Sequence, residues 1–268
     1  MEFTFYQIDA FTNNTFGGNP AAVFVLDRWL SENQMQAIAG EMNLSETAFV
    51  GPTDEKGANY AIRWFTPTVE IELCGHATLA SAHVLFKYLG FSHKQINFHS
   101  MSGILSCEIN REQQLQLDFP AQLLDPIAID PQLEKALGSL PAKAMANDKR
   151  LQLVYESSAQ ILELQPDSSL LKKFPQFGIC CTAPGTGDHK DVDFVCRFFA
   201  PAAGIDEDPV TGSAYTSLVP YYADTLNKQT FNARQLSSRG GELKLTRVND
   251  RIKIAGEAVT VIKGTFYL

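Results

Sequence analysis

The sequence has no run of basic residues, no paired-cysteine motif and no long apolar stretch, and each absence removes a class of protein. Lys and Arg number 22 against 30 Asp and Glu, for a formal net charge of −8. Without clustered cations such a chain is a poor partner for nucleic acid or for an acidic membrane surface. The five cysteines, at 74, 107, 180, 181 and 196, contain no C-x-x-C pair and no zinc-ligand spacing. A disulfide framework is therefore not expected, no metal is expected, and a reducing cytoplasm fits this cysteine usage. Cys180 and Cys181 are adjacent, so in a strand they point to opposite faces. No apolar run approaches the ~20 residues that cross a bilayer, and MEFTFYQIDAF lacks the basic and apolar regions of a signal peptide. Charged residues are only 19% and apolar residues 45%, which suits a folded globular chain and not disorder. At 268 residues the chain makes one large domain or two small ones, and it can build a core without staples.

What is present is mostly strand. Phe3 and Phe5 alternate with polar neighbours across Glu2–Asp9, and Ala21–Leu26 is a short apolar run. Strands are predicted at Tyr60–Thr66, Gln95–His99, Ile104–Ile109 and Leu115–Phe119. After Pro120 they resume at Leu151–Tyr155, Gly178–Ala183, Val192–Phe199, Glu242–Val248, Arg251–Ala255 and Ala258–Tyr267. Helices are few. Ser31 with Gln34 forms a capping box ahead of an apolar face of Met35, Ile38, Ala39 and Met42. Asp130-Pro131 opens a second helix that Gly138 stops. His76–Tyr88 and Ser213–Ala223 are apolar or small nearly all round, which predicts two helices enclosed by other elements. Pro220 should kink the second of these or loosen its first turns.

An internal repeat connects the two enclosed helices. Arg63-Trp64-Phe65-Thr66-Pro67 reads like Arg197-Phe198-Phe199-Ala200-Pro201, 134 residues later. At the same offset Ile71-Glu72 matches Ile205-Asp206, and after a three-residue insertion Gly75-His76-Ala77 matches Gly212-Ser213-Ala214. Chance likeness of two short apolar strands is the plain alternative. The ordered match points instead to a duplicated domain, each half a sheet around one helix. Pro120–Pro131 carries three prolines and reads as the linker, giving domains 1–120 and 121–268, with the last strand free to pack back on the first half.

Three loops and one acid could carry chemistry. In Phe16-Gly17-Gly18-Asn19-Pro20, Gly18 and Asn19 allow a close backbone approach, although a plain turn explains them as well. Leu73-Cys74-Gly75-His76-Ala77 leads into an enclosed helix whose first N–H groups lack partners, which favours an anion; His76 alone is also an ordinary structural polar contact. Asp206-Glu207-Asp208 crowds three carboxylates before Gly212-Ser213-Ala214, and such crowding raises at least one pKa. Glu46, in Leu44-Ser45-Glu46-Thr47-Ala48, reads on its own as a surface charge.

GGNPAAV, LSETAFV, FTPTVEIELCGHATLASA and RFFAPAAGIDEDPVTGSA, in this order and spacing, resemble the PhzF-like phenazine-biosynthesis family and, more widely, diaminopimelate epimerase-type proteins. The resemblance spans nearly the whole chain. It implies an α+β fold of two similar domains, each a curved, mostly antiparallel sheet wrapped around a central helix, with the active site in the cleft between them. It implies catalytic roles for Glu46, as general acid/base, and for His76 and Asp208. It also implies a substrate site of Gly18, Asn19, Gly75, Ala77, Gly212, Ser213 and Ala214. The implied reaction is a cofactor-free isomerisation of trans-2,3-dihydro-3-hydroxyanthranilate, moving a proton between ring carbons. The implied partner is a small carboxylate substrate, with room for a homodimer. One departure matters: epimerases of this superfold use two facing thiols, whereas here Cys74 stands in the first loop and Asp208 in the matching one. That disfavours a two-thiol racemase. It leaves open an epimerase or tautomerase acting on another small carboxylate, or a non-catalytic protein that binds a small anion.

Overall fold

The computed structural model describes residues 1–268. The chain divides into two compact units, Met1–Phe119 with Lys253–Leu268, and Pro120–Ile252. The division falls between Phe119 and Pro120, beside the proline-rich linker, and residues 253–268 return to the first unit.

The first unit contains β1 (Glu2–Ala10), β2 (Asn19–Val25), α1 (Glu32–Met42), β3 (Glu46–Gly51), β4 (Tyr60–Phe65), β5 (Glu70–Ile71), α2 (Gly75–Tyr88), β6 (Gln95–Ser100), β7 (Gly103–Ile109) and β8 (Leu115–Pro120). β1 pairs antiparallel with β2, which pairs parallel with β3 in the register Ala21↔Glu46. β3 pairs antiparallel with β4, and β4 pairs with both the short β5 and, in parallel, β6. β7 and β8 then follow as an antiparallel meander. β2 is apolar at nearly every position because both its faces are covered. Ala22, Phe24, Phe49 and Phe65 pack against Met35, Ile38 and Ala39 of α1, while α2 packs against β1, β2 and β3. The Ser31–Gln34 capping box forms as expected. α2 is buried on nearly every side, as its composition requires.

The second unit repeats this plan with β9 (Asp125–Ile127), α3 (Gln132–Leu137), β10 (Lys143–Ala146), β11 (Arg150–Val154), α4 (Ser158–Glu163), α5 (Ser168–Leu171), β12 (Gly178–Pro184), β13 (Phe194–Ala200), β14 (Ile205–Asp208), α6 (Tyr215–Leu226), β15 (Thr230–Gln235) and β16 (Gly241–Val248). β10–β11 is antiparallel, β11–β12 parallel, β12–β13 antiparallel, β13–β14 antiparallel, β13–β15 parallel and β15–β16 antiparallel. The order of pairings matches the first unit step for step. Arg63 bonds Glu70 through Nε and Nη2, both at 2.6 Å, and Arg197 bonds Glu207 the same way at 2.8 and 2.9 Å. Each guanidinium also lies over the phenyl ring two residues on, Phe65 or Phe199.

These pairs correct the alignment of the repeat. Trp64 faces Ile71 and Phe198 faces Asp208, so the three-residue insertion lies before the second strand, not after it. Glu70 is thus the counterpart of Glu207, Ile71 of Asp208, and Cys74 of Thr211.

Three further features depart from expectation. The proline-rich linker contains a short strand, β9, paired to β10 through Met145↔Pro126; an edge position tolerates the missing N–H. α4 opens with an unforeseen capping box, Ser157 with Gln160. α6 is preceded by a 3-10 turn at Gly212–Ala214 and runs through Pro220. The carbonyl that Pro220 leaves without an intrahelical donor, that of Thr216, accepts instead from the backbone N–H of Gln122 at 2.9 Å. All five cysteines are buried thiols. β17 (Arg251–Gly256) brings the chain back to the first unit, where β18 (Ala258–Tyr267) pairs along the whole of β1. No helix is long and apolar enough to cross a membrane.

Candidate functional site

Three separate segments of the first unit meet at one point. Glu46 opens β3, Asn19 opens β2, and Cys74 and His76 sit at the start of α2. The parallel β2–β3 pairing brings Asn19 and Glu46 to the same end of the sheet, where α2 begins. Gly18 makes the turn into β2. Its φ is +62°, and a Cβ there would lie 2.2 Å from the carbonyl oxygen of Ala10, so only glycine fits.

Glu46 is 7% exposed and His76 3% exposed, so the surface-charge reading of Glu46 is corrected by burial. Oε2 of Glu46 lies 3.2 Å from Nε2 of His76. Nδ1 of the same ring is 3.2 Å from Nδ2 of Asn19 and 3.5 Å from Sγ of Cys74. Burial pushes the His76 pKa down to about 3, so the imidazole is neutral at physiological pH. A carboxylate at this distance pulls the other way, and the loss of hydration outweighs it. Asn19 donates to Nδ1, which assigns the remaining ring proton to Nε2, the nitrogen that faces Glu46. The Nε2–H is not aligned on the carboxylate oxygen and has no hydrogen-bond acceptor. A buried donor without an acceptor is costly in a resting core and natural in a ligand site.

The N-terminus of α2 adds to this. Its N-cap, Cys74, makes no side-chain cap, so the helix start at Gly75, His76 and Ala77 offers backbone donors and the positive end of the dipole to an anion. The ligand atoms of Glu46, Cys74 and His76 lie within 4.8 Å of one another. Folding thus brings together three potential metal donors that sequence spacing does not reveal. The ring presents Nε2 to the glutamate and Nδ1 to the thiol, and one ion can take only one of these nitrogens.

Asp208 and Ser213 belong to the second unit. Asp208 ends β14, is buried, and accepts a hydrogen bond from the Thr211 hydroxyl through Oδ2. Gln235, fully buried at the end of β15, pins this loop. Its Nε2 donates to the Asp208 carbonyl at 2.7 Å, and its Oε1 accepts from the Thr211 N–H at 2.9 Å. Ser213 Oγ accepts from Nη2 of Arg150 at 3.3 Å, beside the buried Gly212 and Ala214. Sequence reasoning missed Gln235 and Arg150, for neither lies in a recognisable motif.

Comparison with known proteins agrees with this architecture. The family described as phenazine biosynthesis-like protein matches residues 8–264. An uncharacterized isomerase of Pseudomonas aeruginosa is 47% identical over 269 residues, covering 100% of both chains. A crystal structure of a PhzF-family phenazine biosynthesis protein from Enterococcus faecalis superposes with a TM-score of 0.93 at 44% identity, covering 100% of both chains. A predicted epimerase of Pseudomonas aeruginosa has a TM-score of 0.76 at 18% identity, covering 99% of each chain, a likeness of fold alone. The duplicated sheet-and-helix plan, the DEDPVTGSA loop and these full-length matches place the chain in the phenazine biosynthesis-like, PhzF-type family of isomerases.

Proposed function

We propose that the chain is a cofactor-independent isomerase that moves a proton between carbons of a small carboxylic acid, with Glu46 as the proton carrier. The observation that carries this reading is the buried Glu46 carboxylate set against a neutral His76 whose tautomer Asn19 fixes. The N–H groups of Gly75–Ala77 stabilise negative charge as it develops on the substrate, and Gly18 with Asn19 shapes the approach. Glu46 removes a proton from a carbon next to the conjugated system. That C–H bond breaks, an O–H bond forms on Glu46, and the electron pair spreads toward the substrate carboxylate. The neutral Nε2–H of His76 donates to oxygen as charge develops, without itself titrating. Glu46 then returns the proton to another carbon of the same system, so no oxidant, reductant or cofactor is consumed. Asp208, Gly212, Ser213 and Ala214 bind and orient an acid group through their own loop. A trans-2,3-dihydro-3-hydroxyanthranilate-like ring acid fits this chemistry.

A second reading rests on Cys74. Its thiol touches the nitrogen of His76 opposite to the one facing Glu46, which gives a thiol–imidazole–carboxylate series suited to epimerising or tautomerising another small carboxylate.

The test is incorporation of solvent deuterium into a carbon position of trans-2,3-dihydro-3-hydroxyanthranilate, with no cofactor added. Glu46→Gln keeps size and shape, so exchange should fall by at least ~10²–10⁴-fold while binding of the acid changes little. A Glu46→Gln enzyme that exchanges as fast as wild type refutes the assignment and leaves Cys74 as the carrier to test. A wild-type protein that binds the acid and exchanges nothing is an anion-binding protein.

A further inference from the structure

The two halves of the repeat are not chemically equivalent, and the second half holds a feature the mechanism has not used. Thr47 faces Phe65 in the first unit and Ile179 faces Phe199 in the second. Each phenylalanine lies two residues after the arginine of its repeat, so Gly178 occupies the place of Glu46. A Cβ on Gly178 would lie 2.4 Å from Cζ of Phe198, so the ring of Phe198 leaves no room there for an acid. On the neighbouring strand Ala21 pairs with Glu46, whereas Arg150 pairs with Gly178. Ser213 holds the place of His76. One half therefore presents a carboxylate against an imidazole, and the other a guanidinium against a hydroxyl.

Arg150 is an unusual arginine. It is 8% exposed, and its Nε and Nη1 have no hydrogen-bond partner. Its contacts are the Phe198 ring, 5.2 Å from the guanidinium carbon, and Ser213 Oγ. The groups nearest in charge terms are the thiols of Cys180 and Cys196, not a carboxylate. Burial pushes the Arg150 pKa down, and it pushes the Cys196 thiol up, so that thiol offers no negative charge in return. A buried cation without a counter-ion costs stability, and replacing it with an apolar side chain of similar volume is commonly neutral or stabilising. Its position gives a reason to retain it. Because Nη2 donates to Ser213 Oγ, the hydroxyl acts as an acceptor toward the arginine and its own proton is left to donate outward. The uncapped turn at Gly212–Ala214, ahead of the 12-residue α6, sits at the same place.

We propose that Arg150 is a positioning residue that charges and orients an anion seat formed by Ser213 and the start of the Gly212–α6 segment, and that this seat selects a carboxylate. The proposal rests on the reading above that the substrate is a small acid. In the proposed seat the anion accepts from the Ser213 hydroxyl and from backbone N–H groups, and the guanidinium behind them supplies the missing half of an ion pair.

The test compares two probes by calorimetric titration, anthranilate and its uncharged amide, 2-aminobenzamide. Arg150→Met should weaken anthranilate by roughly tenfold or more and leave 2-aminobenzamide unchanged. Its melting temperature should be equal to or above that of wild type, whereas an arginine kept for structure would lower it on removal. Arg150→Lys should recover part of the loss, and Ser213→Ala should reproduce it. Anthranilate bound by Arg150→Met within twofold of wild type overturns the proposal. So does a wild-type protein that does not prefer the acid over the amide, or an equal loss of both probes with a lowered melting temperature. These outcomes are separate from deuterium exchange by Glu46→Gln. A failed base assignment leaves the seat standing, and a failed seat leaves the base standing.

Discussion

The neutrality of His76 predicts how acid weakens the first unit. In the unfolded chain the imidazole titrates near 6.5, and in the folded protein burial lowers that to about 3. Between those values the unfolded state binds a proton that the folded state does not. Stability from this residue is therefore fully present above about pH 6.5 and falls as the pH drops toward 3. From pH 7 to pH 5 the loss is about 2 kcal/mol, at about 1.36 kcal/mol per unit over the interval below 6.5. That figure is insensitive to the exact folded value, because pH 5 lies well above it. His83, held down to about 4 by burial and by Lys87, adds a loss of the same sign, reduced because its ring is only partly buried. The perturbation is His76→Gln, which keeps an amide donor near the position of Nε2 and cannot titrate. The assay is urea unfolding at pH 7 and pH 5, read by tryptophan fluorescence. Both tryptophans, Trp29 and Trp64, belong to the first unit, so the signal reports that unit alone. Wild type should lose about 2 kcal/mol more than the variant between the two pH values. An equal pH dependence in both proteins refutes the claim that the imidazole is buried uncharged.

Two further predictions follow from the same site. Gly18→Ala meets both a positive φ and the Ala10 carbonyl, so it should destabilise the first unit by about 2 kcal/mol or more and shift the same fluorescence transition to lower urea. Cys74→Ser keeps a small side chain beside Nδ1 of His76, so if Glu46 carries the proton, deuterium exchange should stay within about tenfold of wild type; a loss as deep as that of Glu46→Gln makes the thiol part of the proton path.

The features legible in the sequence were those written in contiguous residues. The Ser31–Gln34 box, the Gly138 stop and the two enclosed helices are local patterns with local causes. The repeat was visible because Arg63 and Arg197 sit in strands ending in the same aromatic pattern, yet its gap was misplaced. Placing the gap required strand register and the Glu70 and Glu207 ion pairs, and neither is a property of adjacent residues. Glu46 illustrates the limit most sharply. Nothing in LSETAFV says that its carboxylate is buried, because that burial comes from α2, 30 residues onward, and from Asn19 at the head of the adjoining strand. The role proposed for it was reachable only through family likeness. Arg150 follows Asp148 and Lys149 and reads as one more surface charge. Gln235 closes a strand whose polar alternation, TFNARQ, hides it. α4 and α5 are too short for helical periodicity to register.

The return of β18 to β1 also sets the order in which the molecule can be completed during synthesis. The second unit is one continuous stretch, 120–252, while the first waits for residues 253–268. At about 5–20 residues per second those last 16 residues take roughly one to three seconds. Through that interval the outer edge of β1 has no partner and is open to pairing with another chain. The half of the protein that carries Glu46 starts before the second unit and is completed only after it, so nascent chains should be captured at this edge by chaperones, and stalled ones should aggregate through it.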